Sequence, residues 1–348
     1  MPISYDECCK VVRKLTNDKS PGSDGLPSEF YKAHWSTIGP LVFDALSFSV
    51  GNGKLSISQR HAQLRLIHKK DDREILENWR PISLLNTDYK ILAFILSSRL
   101  QPILGRIINH DQTAYLKKRF IGQNVRLTYD VIDYANTENI PGAILFLDFR
   151  KAFDTIEWNF MFKTLEKFNF GTTFVNFTKT LYNACQSSVL NHGWVSEPLS
   201  LKRGIRQGCP VSALLFLLVA EIMATKIRSD QEINGIKITN KKWSKEIRIS
   251  QVADDTTIFV SNKQSIERVI QIVEKYSSVA GLTLNLNKTQ GLWIGANKNN
   301  DQYGTIIWPK TPIKSLGTYF SNNYINAIKL ALNEKNNFNR TYFKQMDA

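Results

Sequence analysis

An α+β fold is predicted for this 348-residue chain by three observations. Strand-like and helix-like segments are interspersed without the strict alternation of a βαβ protein. The run Ala143-Ile144-Leu145-Phe146-Leu147 is apolar at every position, the pattern of a strand covered on both faces. Two β-favouring segments, Ile247–Val252 and Thr256–Val260, approach and leave Asp254-Asp255, which places the two carboxylates at a hairpin tip. With 43% hydrophobic and 22% charged residues, the chain buries a substantial core as one large domain or two interlocked ones.

The stretch Ser20-Pro21-Gly22-Ser23-Asp24-Gly25-Leu26-Pro27 is rich in turn formers and hands over to a helix from about Ser28, read as its N-cap. A basic, hairpin-like stretch runs from Gln63 to Asp72. An apolar-periodic helix is predicted over about Tyr89–Ile103, ended by Pro102 and Gly105. The strand Ala143–Leu147 delivers Asp148 at its end. Asp154-Thr155-Ile156-Glu157 has the spacing of a capping box, opening a helix that Gly171 would close. Two short strands around Ser187–Leu201 lead into the loop Arg203-Gly204-Ile205-Arg206-Gln207-Gly208-Cys209-Pro210, and Ser212 starts a strongly apolar helix. Beyond it lie the Asp-Asp hairpin, a helix over about Ser265–Val279 and mixed strands to about Phe320. No internal repeat and no Gly/Ser linker divides the chain. From Ser321 the sequence turns rich in Asn and Lys and reads as a frayed helix or a truncation.

No apolar run approaches the ~20 residues of a membrane span, so no membrane partner is expected, and no secretory leader opens the chain. Cys8, Cys9, Cys185 and Cys209 show neither C-x-x-C spacing nor a disulfide-rich pattern. They are expected as reduced thiols of an intracellular protein, nuclear or cytoplasmic, and no structural zinc site is expected. A formal net charge of +14 points to a polyanionic partner, because Lys and Arg that neutralise phosphates release counterions. A solvated basic surface carries the same charge, so the clusters weigh more. Lys69-Lys70, Lys117-Lys118-Arg119, Arg150-Lys151, Lys202-Arg203 and Lys241-Lys242 each lie near an aromatic residue, the mixture that holds phosphates and stacks bases.

A tight hairpin prefers Asn-Gly or Gly-X at its tip, and adjacent like charges are costly to ionise unless a cation lies between them. Asp254-Asp255 breaks both rules, and broken local rules point to function. Asp148 at a strand end and Asp254 at a hairpin tip form the pair that neighbouring strands bring together to hold Mg²⁺, with Mn²⁺ as its substitute. Two such ions about 3.5–4 Å apart activate an attacking hydroxyl and stabilise a leaving pyrophosphate. Asp154 is accounted for by its capping box and Asp71-Asp72 by a solvated turn, so none of the three is assigned to the site. The loop Gly204–Gly208 lets backbone approach a ligand and projects Gln207. The same residues also suit a plain helix entry, with Gly208 and Pro210 setting the turn and Ser212 capping.

In order along the chain stand Ser20-Pro21-Gly22-x-Asp24-Gly25, Trp79-Arg80-Pro81-Ile82-Ser83-Leu84, Leu147-Asp148-Phe149-Arg150-Lys151-Ala152-Phe153-Asp154, Gly204-x-x-Gln207-Gly208-x-x-x-Ser212-x-x-Leu215-Phe216, Ala253-Asp254-Asp255, Gly281-Leu282-x-Leu284-Asn285-x-x-Lys288-Thr289 and Leu316-Gly317. This ordered set closely resembles the reverse transcriptase domain of non-LTR (LINE-type) retrotransposons, from about Leu15 to Phe320. The resemblance implies a right-hand polymerase fold with a fingers-like region over 1–138, a palm with the catalytic motifs over 139–320, and a truncated thumb remnant or disordered tail over 321–348. It implies Asp148, Asp254 and Asp255 as the metal-binding triad, with the Phe149 carbonyl assisting. Phe153 resembles the aromatic that blocks a ribose 2′-OH. Arg80, Lys69 and Lys70 resemble the residues that clamp the incoming triphosphate, and a guanidinium fits phosphate bidentately. Gln207 and Gly208 match contacts to template and nucleotide, Lys288 a lysine that protonates the leaving pyrophosphate, and Leu316-Gly317 the primer grip. The implied partners are an RNA template, a DNA primer and dNTPs; nothing in the pattern sets an oligomeric state.

Val252 departs from the family, which places an aromatic there, so smaller contacts under the primer terminus are expected to alter rate or fidelity. The sequence after the primer grip is too short for a full thumb and nothing endonuclease-like precedes, as in a fragment or decayed copy of a longer polyprotein. Two other functions stay open on the residues alone: a relic that binds nucleic acid without extending a primer, and a metal-dependent nuclease. Hydrolysis needs neither the Gln-Gly nor the Lys block, which argues against the nuclease.

Overall fold

The apolar run expected as a doubly covered strand is one: every residue of Gly142–Leu147 is buried. It lies in a computed structural model that describes residues 2–69 and 72–334. Two units are distinguished. The first draws on Met1–Ile107, Phe153–Val219 and Val279–Gly281; the second draws on Ile108–Ala152, Ala220–Ser278 and Leu282–Ala348. The chain passes repeatedly between them, so each is assembled from segments distant in sequence.

In the first unit the hairpin-like basic stretch becomes the strand His61–His68, paired antiparallel with Trp79–Leu85 and parallel with Gln186–Asn191. The region expected to hold two short strands holds three, Gln186–Asn191, Trp194–Val195 and Leu199–Ser200. Helices Tyr5–Lys14, Ser28–Gly51 and Thr87–Ile107 belong to this unit. The first opens on a formed capping box, Ser4 with Glu7. Ser28 is not the N-cap of its helix: extended Pro27 takes that place, without a side-chain cap. The helix expected to stop near Ile103 continues to Ile107, with Pro102 inside it. Its buried positions Leu96, Leu100 and Leu104 recur every four residues across the proline, and that continuous apolar stripe outweighs one missing backbone bond.

The capping box read at Asp154 does not form. Ala152–Thr155 is a short turn of helix, and a separate helix, Trp158–Lys167, has Glu157 as its N-cap residue, without a side-chain cap hydrogen bond. Gly171 does not close that helix but precedes the next, Thr172–Tyr182; the left-handed exit is taken by Asn169, with φ of 58°.

In the second unit the order Ile249–Val252, Asp255–Val260, Gly142–Leu147, Gln290–Ile294 makes a four-stranded sheet, antiparallel throughout. One face packs Ile144, Phe146, Phe259 and Leu292 against Val131, Ile132 and Ala135 of the helix Ile121–Thr137. The approach strand expected over Ile247–Val252 is split at Arg248; Ser244–Ile247 instead pairs with Ile236–Thr239. The apolar helix starts at Ser212 as expected and runs to Ser229, and Lys263–Ala280 matches the helix expected over about Ser265–Val279 to within two residues. Residues 324–334 are helical, and the rest of the tail lies outside the described residues. All four cysteines are free thiols, and among the described residues no helix is long and apolar enough to cross a membrane.

Asp230, with 3% of its side chain exposed, ties this unit together through Arg268 at 2.9 Å and Lys226 at 3.2 Å. The hydrogen bonds from Arg268 pull its pKa down to about 2. A depressed carboxylate contributes stability that is present above its unfolded pKa, about 3.9, and is lost as pH falls through the folded value. Urea midpoints measured against pH should therefore show Asp230→Asn less stable than the parent at pH 6, with the gap closing between about pH 4 and pH 2. A gap that persists unchanged at pH 2 would contradict this assignment.

Candidate active site

Asp148 directly follows the last residue of Gly142–Leu147, and Leu147 pairs with Thr256 in the neighbouring strand. Continuing that antiparallel register by one residue sets Asp148 opposite Asp255. Asp148 and Asp254 are half-buried and Asp255 is exposed. Asp148 is fixed by a separate segment: Asn285 Nδ2 donates to its Oδ2 at 3.0 Å, and the Asn285 amide donates to its carbonyl at 2.7 Å. The Asp148 amide donates to the Thr289 hydroxyl at 3.4 Å. Lys288, between these two residues, is exposed in a turn closed by its amide on the Asn285 carbonyl at 3.0 Å. Phe149 sits in a short strand, Phe149–Arg150, paired with Thr283–Leu284.

The hairpin tip differs from the expectation by one residue. Val252 pairs with Asp255, so the two loop residues are Ala253 and Asp254, and Asp255 already belongs to the returning strand. Ala253, not an aspartate, takes the left-handed backbone, with φ of 57°. A positive φ at the first loop position is the pattern of a II′ turn, which ordinarily takes Gly there. For alanine this costs about 1–2 kcal/mol. The buried Gln112 side chain supplies the compensation, accepting from the Ala253 amide at 3.0 Å and donating to its carbonyl at 3.2 Å. Two neutral bonds at roughly 1 kcal/mol each offset a strain of that size.

The donor set fits a hard divalent cation. It offers carboxylate oxygens just past the end of one strand and at the hairpin turn beside it, and Mg²⁺ takes one or two carboxylates and completes its shell with water and substrate phosphate. Among the described residues, no group of three or more His, Cys, Asp or Glu is arranged to hold a metal ion.

In the other unit, the loop carrying Gln207 is bound to the segment after Phe153. Gly204 and Ile205 amides donate to the Ile156 and Phe153 carbonyls, both at 2.7 Å, and Trp158 Nε1 donates to the Gly204 carbonyl at 2.6 Å. Gln207 Nε2 donates to Asp154 Oδ1 at 3.0 Å, so Asp154, set aside as a capping residue, is the partner of the loop's projecting side chain. The Gln207 carbonyl accepts from the Ser83 amide at 2.7 Å. Gly208 follows with φ of 113°. Phe153 is half-buried and stacks on Phe216, ring centroids 4.7 Å apart. Arg80 and Lys69 are exposed, and Lys70 lies outside the described residues.

Leu316 and Gly317, in the second unit, are the two loop residues of a hairpin between Ile313–Ser315 and Thr318–Phe320, both at positive φ, 51° and 75°. That is the I′ pattern, normally given to Asn-Gly, and the leucine is again a non-glycine residue held in the left-handed region.

Gln112, Asn285, Thr289 and Arg206 join the residues expected from sequence, and Asp154 changes from helix cap to partner of Gln207. Arg206 is 4% exposed, donates to the Arg60 and Gln186 carbonyls, and lies over the Tyr89 ring at 5.3 Å. The signal available for Asn285, Thr289, Asp154 and Arg206 was their place inside the ordered blocks; Gln112 had none.

The family described as reverse transcriptase (RNA-dependent DNA polymerase) matches residues 67–320. A transposon TX1 149 kDa protein of Xenopus laevis is 35% identical over 92% of this chain and 24% of its own length. The Pol polyprotein of the type-2 retrotransposable element R2DM of Drosophila melanogaster is 25% identical over 79% of this chain and 25% of its own. The chain thus spans about a quarter of the length of these relatives. Among solved structures, apo telomerase of Candida tropicalis lacking its C-terminal domain is similar with a TM-score of 0.53, at 11% identity, over 91% of this chain and 64% of its own. The fold is therefore that of a right-hand polymerase. This chain belongs to the reverse transcriptase (RNA-dependent DNA polymerase) family, as the reverse transcriptase domain of a LINE-type, non-LTR retrotransposon.

Proposed function

We propose that this domain extends a DNA primer on an RNA template, the primer 3′-hydroxyl attacking the α-phosphate of a dNTP with release of pyrophosphate. The observation that carries the reading is Asp148, tied by Asn285 from the Lys288 block and set in register with Asp255 beside the Ala253-Asp254 turn. Asp148 and Asp254, with Asp255 and the Phe149 carbonyl, would hold Mg²⁺, or Mn²⁺ in its place. When bound, the ions would lower the pKa of the primer hydroxyl and neutralise charge on the departing pyrophosphate. Lys288 would protonate that leaving group. Arg80, Lys69 and Lys70 would bind the triphosphate, Gln207 and Gly208 the template and incoming nucleotide, and Leu316-Gly317 the primer end. An intracellular setting, nuclear or cytoplasmic, belongs to the same proposal.

Phe153 would exclude the ribose 2′-hydroxyl. Replacing it by Ala should raise the kcat/KM for ribonucleotides relative to deoxynucleotides by roughly tenfold or more, because a steric block is removed from one substrate only. A drop in thermal stability without any change in that ratio would return Phe153 to plain packing against Phe216. The competing reading, a relic that only binds nucleic acid, is favoured by salt-dependent RNA binding without Mg²⁺-dependent dNTP incorporation.

A further inference from the structure

The turn that carries Asp254 is governed by a residue 141 positions away in sequence. Gln112 is 1% exposed and lies in an irregular segment that pairs in parallel with Gln251. The Gln251 amide donates to the Asp111 carbonyl at 2.7 Å, and the Thr113 amide to the Gln251 carbonyl at 3.0 Å. The Gln112 side chain then extends this pairing past the end of the strand. Its Oε1 accepts from the Ala253 and Ala114 amides, both at 3.0 Å, and its Nε2 donates to the Ala253 carbonyl at 3.2 Å.

The segment is held from several sides, so the clamp is not a loose contact. Asn124 Nδ2 donates to the Ser250 hydroxyl at 2.8 Å and the Gln251 carbonyl at 3.0 Å. Arg119 donates to the Gln112 and Ile108 carbonyls at 2.8 and 3.0 Å. Arg228 grips the Asp111 carboxylate at 2.8 and 3.0 Å. A primary amide of this length presents one donor and one acceptor to a single residue's backbone, as a neighbouring strand would; glutamate lacks the donor and leucine lacks both.

We propose that Gln112 is a positioning residue for the metal centre: by holding both backbone groups of Ala253 it fixes the left-handed turn and hence the direction in which Asp254 presents its carboxylate. This rests on the reading of Asp254 as a metal ligand. Ala253→Gly is the informative second change, because glycine adopts this backbone without strain and so needs the clamp less.

The test compares the parent, Gln112→Leu, and Gln112→Leu with Ala253→Gly. Three readouts are used: amide hydrogen exchange, binding of Mn²⁺ alone followed by its free-ion paramagnetic signal, and single-nucleotide extension. In Gln112→Leu the Ala253 amide should exchange about tenfold or more faster, while the amides of Gly142–Leu147 keep their rates. The Mn²⁺ dissociation constant should rise roughly three- to tenfold and kcat fall about 10- to 100-fold, with KM for dNTP within about twofold. Adding Ala253→Gly should recover most of the Mn²⁺ affinity. Parental exchange at Ala253 together with parental Mn²⁺ affinity in folded Gln112→Leu would overturn the proposal, as would an affinity loss that Ala253→Gly leaves untouched. If Gln112→Leu does not fold, Gln112→Glu serves: it keeps the acceptor and loses the donor, so a weaker Mn²⁺ affinity is expected and parental affinity overturns the proposal. Exchange at Ala253 does not depend on polymerase activity, so its outcome is separate from any failure of Asp254 as a ligand.

Discussion

Asp254→Asn should reduce RNA-templated primer extension by about 10³-fold or more, a loss of at least ~4 kcal/mol of transition-state stabilisation. Asparagine keeps the size and one oxygen but removes the charge that neutralises a cation. The fold should survive, because Asp254 sits half-buried in a two-residue loop and its neutralisation relieves repulsion from Asp255. A melting temperature within about 2 °C of the parent, measured on the same preparation, separates lost chemistry from lost structure. Undiminished extension would remove Asp254 from the site.

Gly208→Ala should be the most damaging single methyl in the other unit. A β-carbon there would stand 2.6 Å from the Ser83 carbonyl oxygen, on a backbone with φ of 113°. The Ser83 amide also donates to the Gln207 carbonyl, so shifting either strand or loop breaks that bond. Strain of about 1–3 kcal/mol and a lost bond of about 1 kcal/mol together predict a destabilisation of roughly 2–4 kcal/mol. Extension should fall at least about tenfold as Gln207 leaves its place. Gly53→Ala is the control: its φ of 64° is also left-handed, but nothing lies within 4 Å of the added carbon. It should cost only about 1 kcal/mol and leave extension unaffected. Equal effects of the two substitutions would show that close approach at Gly208 plays no part.

Where local pattern decides structure, the sequence was readable. The all-apolar run Ala143–Leu147 carries the pattern of a strand covered on both faces, and the strand Gly142–Leu147 is buried at every residue. The ordered blocks carried the family, and with it the fold. Misreadings arose where a distant partner overrides a local rule. Asp154 had a sufficient local explanation as a cap, and only the fold brings Gln207 to it. The Asp-Asp pair seemed to occupy the turn because nothing near Ala253 in sequence could support an alanine at positive φ; that support arrives from Gln112. Pro102 looked like a helix end because the apolar stripe that carries the helix past it is continuous only when Leu96, Leu100 and Leu104 are counted together.

Asp148, Asp254 and Asp255 are proposed to form a centre for RNA-templated DNA synthesis. The most direct measurement is single-nucleotide incorporation on a DNA primer annealed to RNA, followed across a Mg²⁺ titration with each of the four dNTPs in turn. The expected result is a product one nucleotide longer, formed only with the dNTP complementary to the template base, rising with Mg²⁺ and absent in chelator. Tight binding of the same primer–template with no product at any Mg²⁺ or Mn²⁺ concentration, or shortening of the primer instead of its extension, would contradict it.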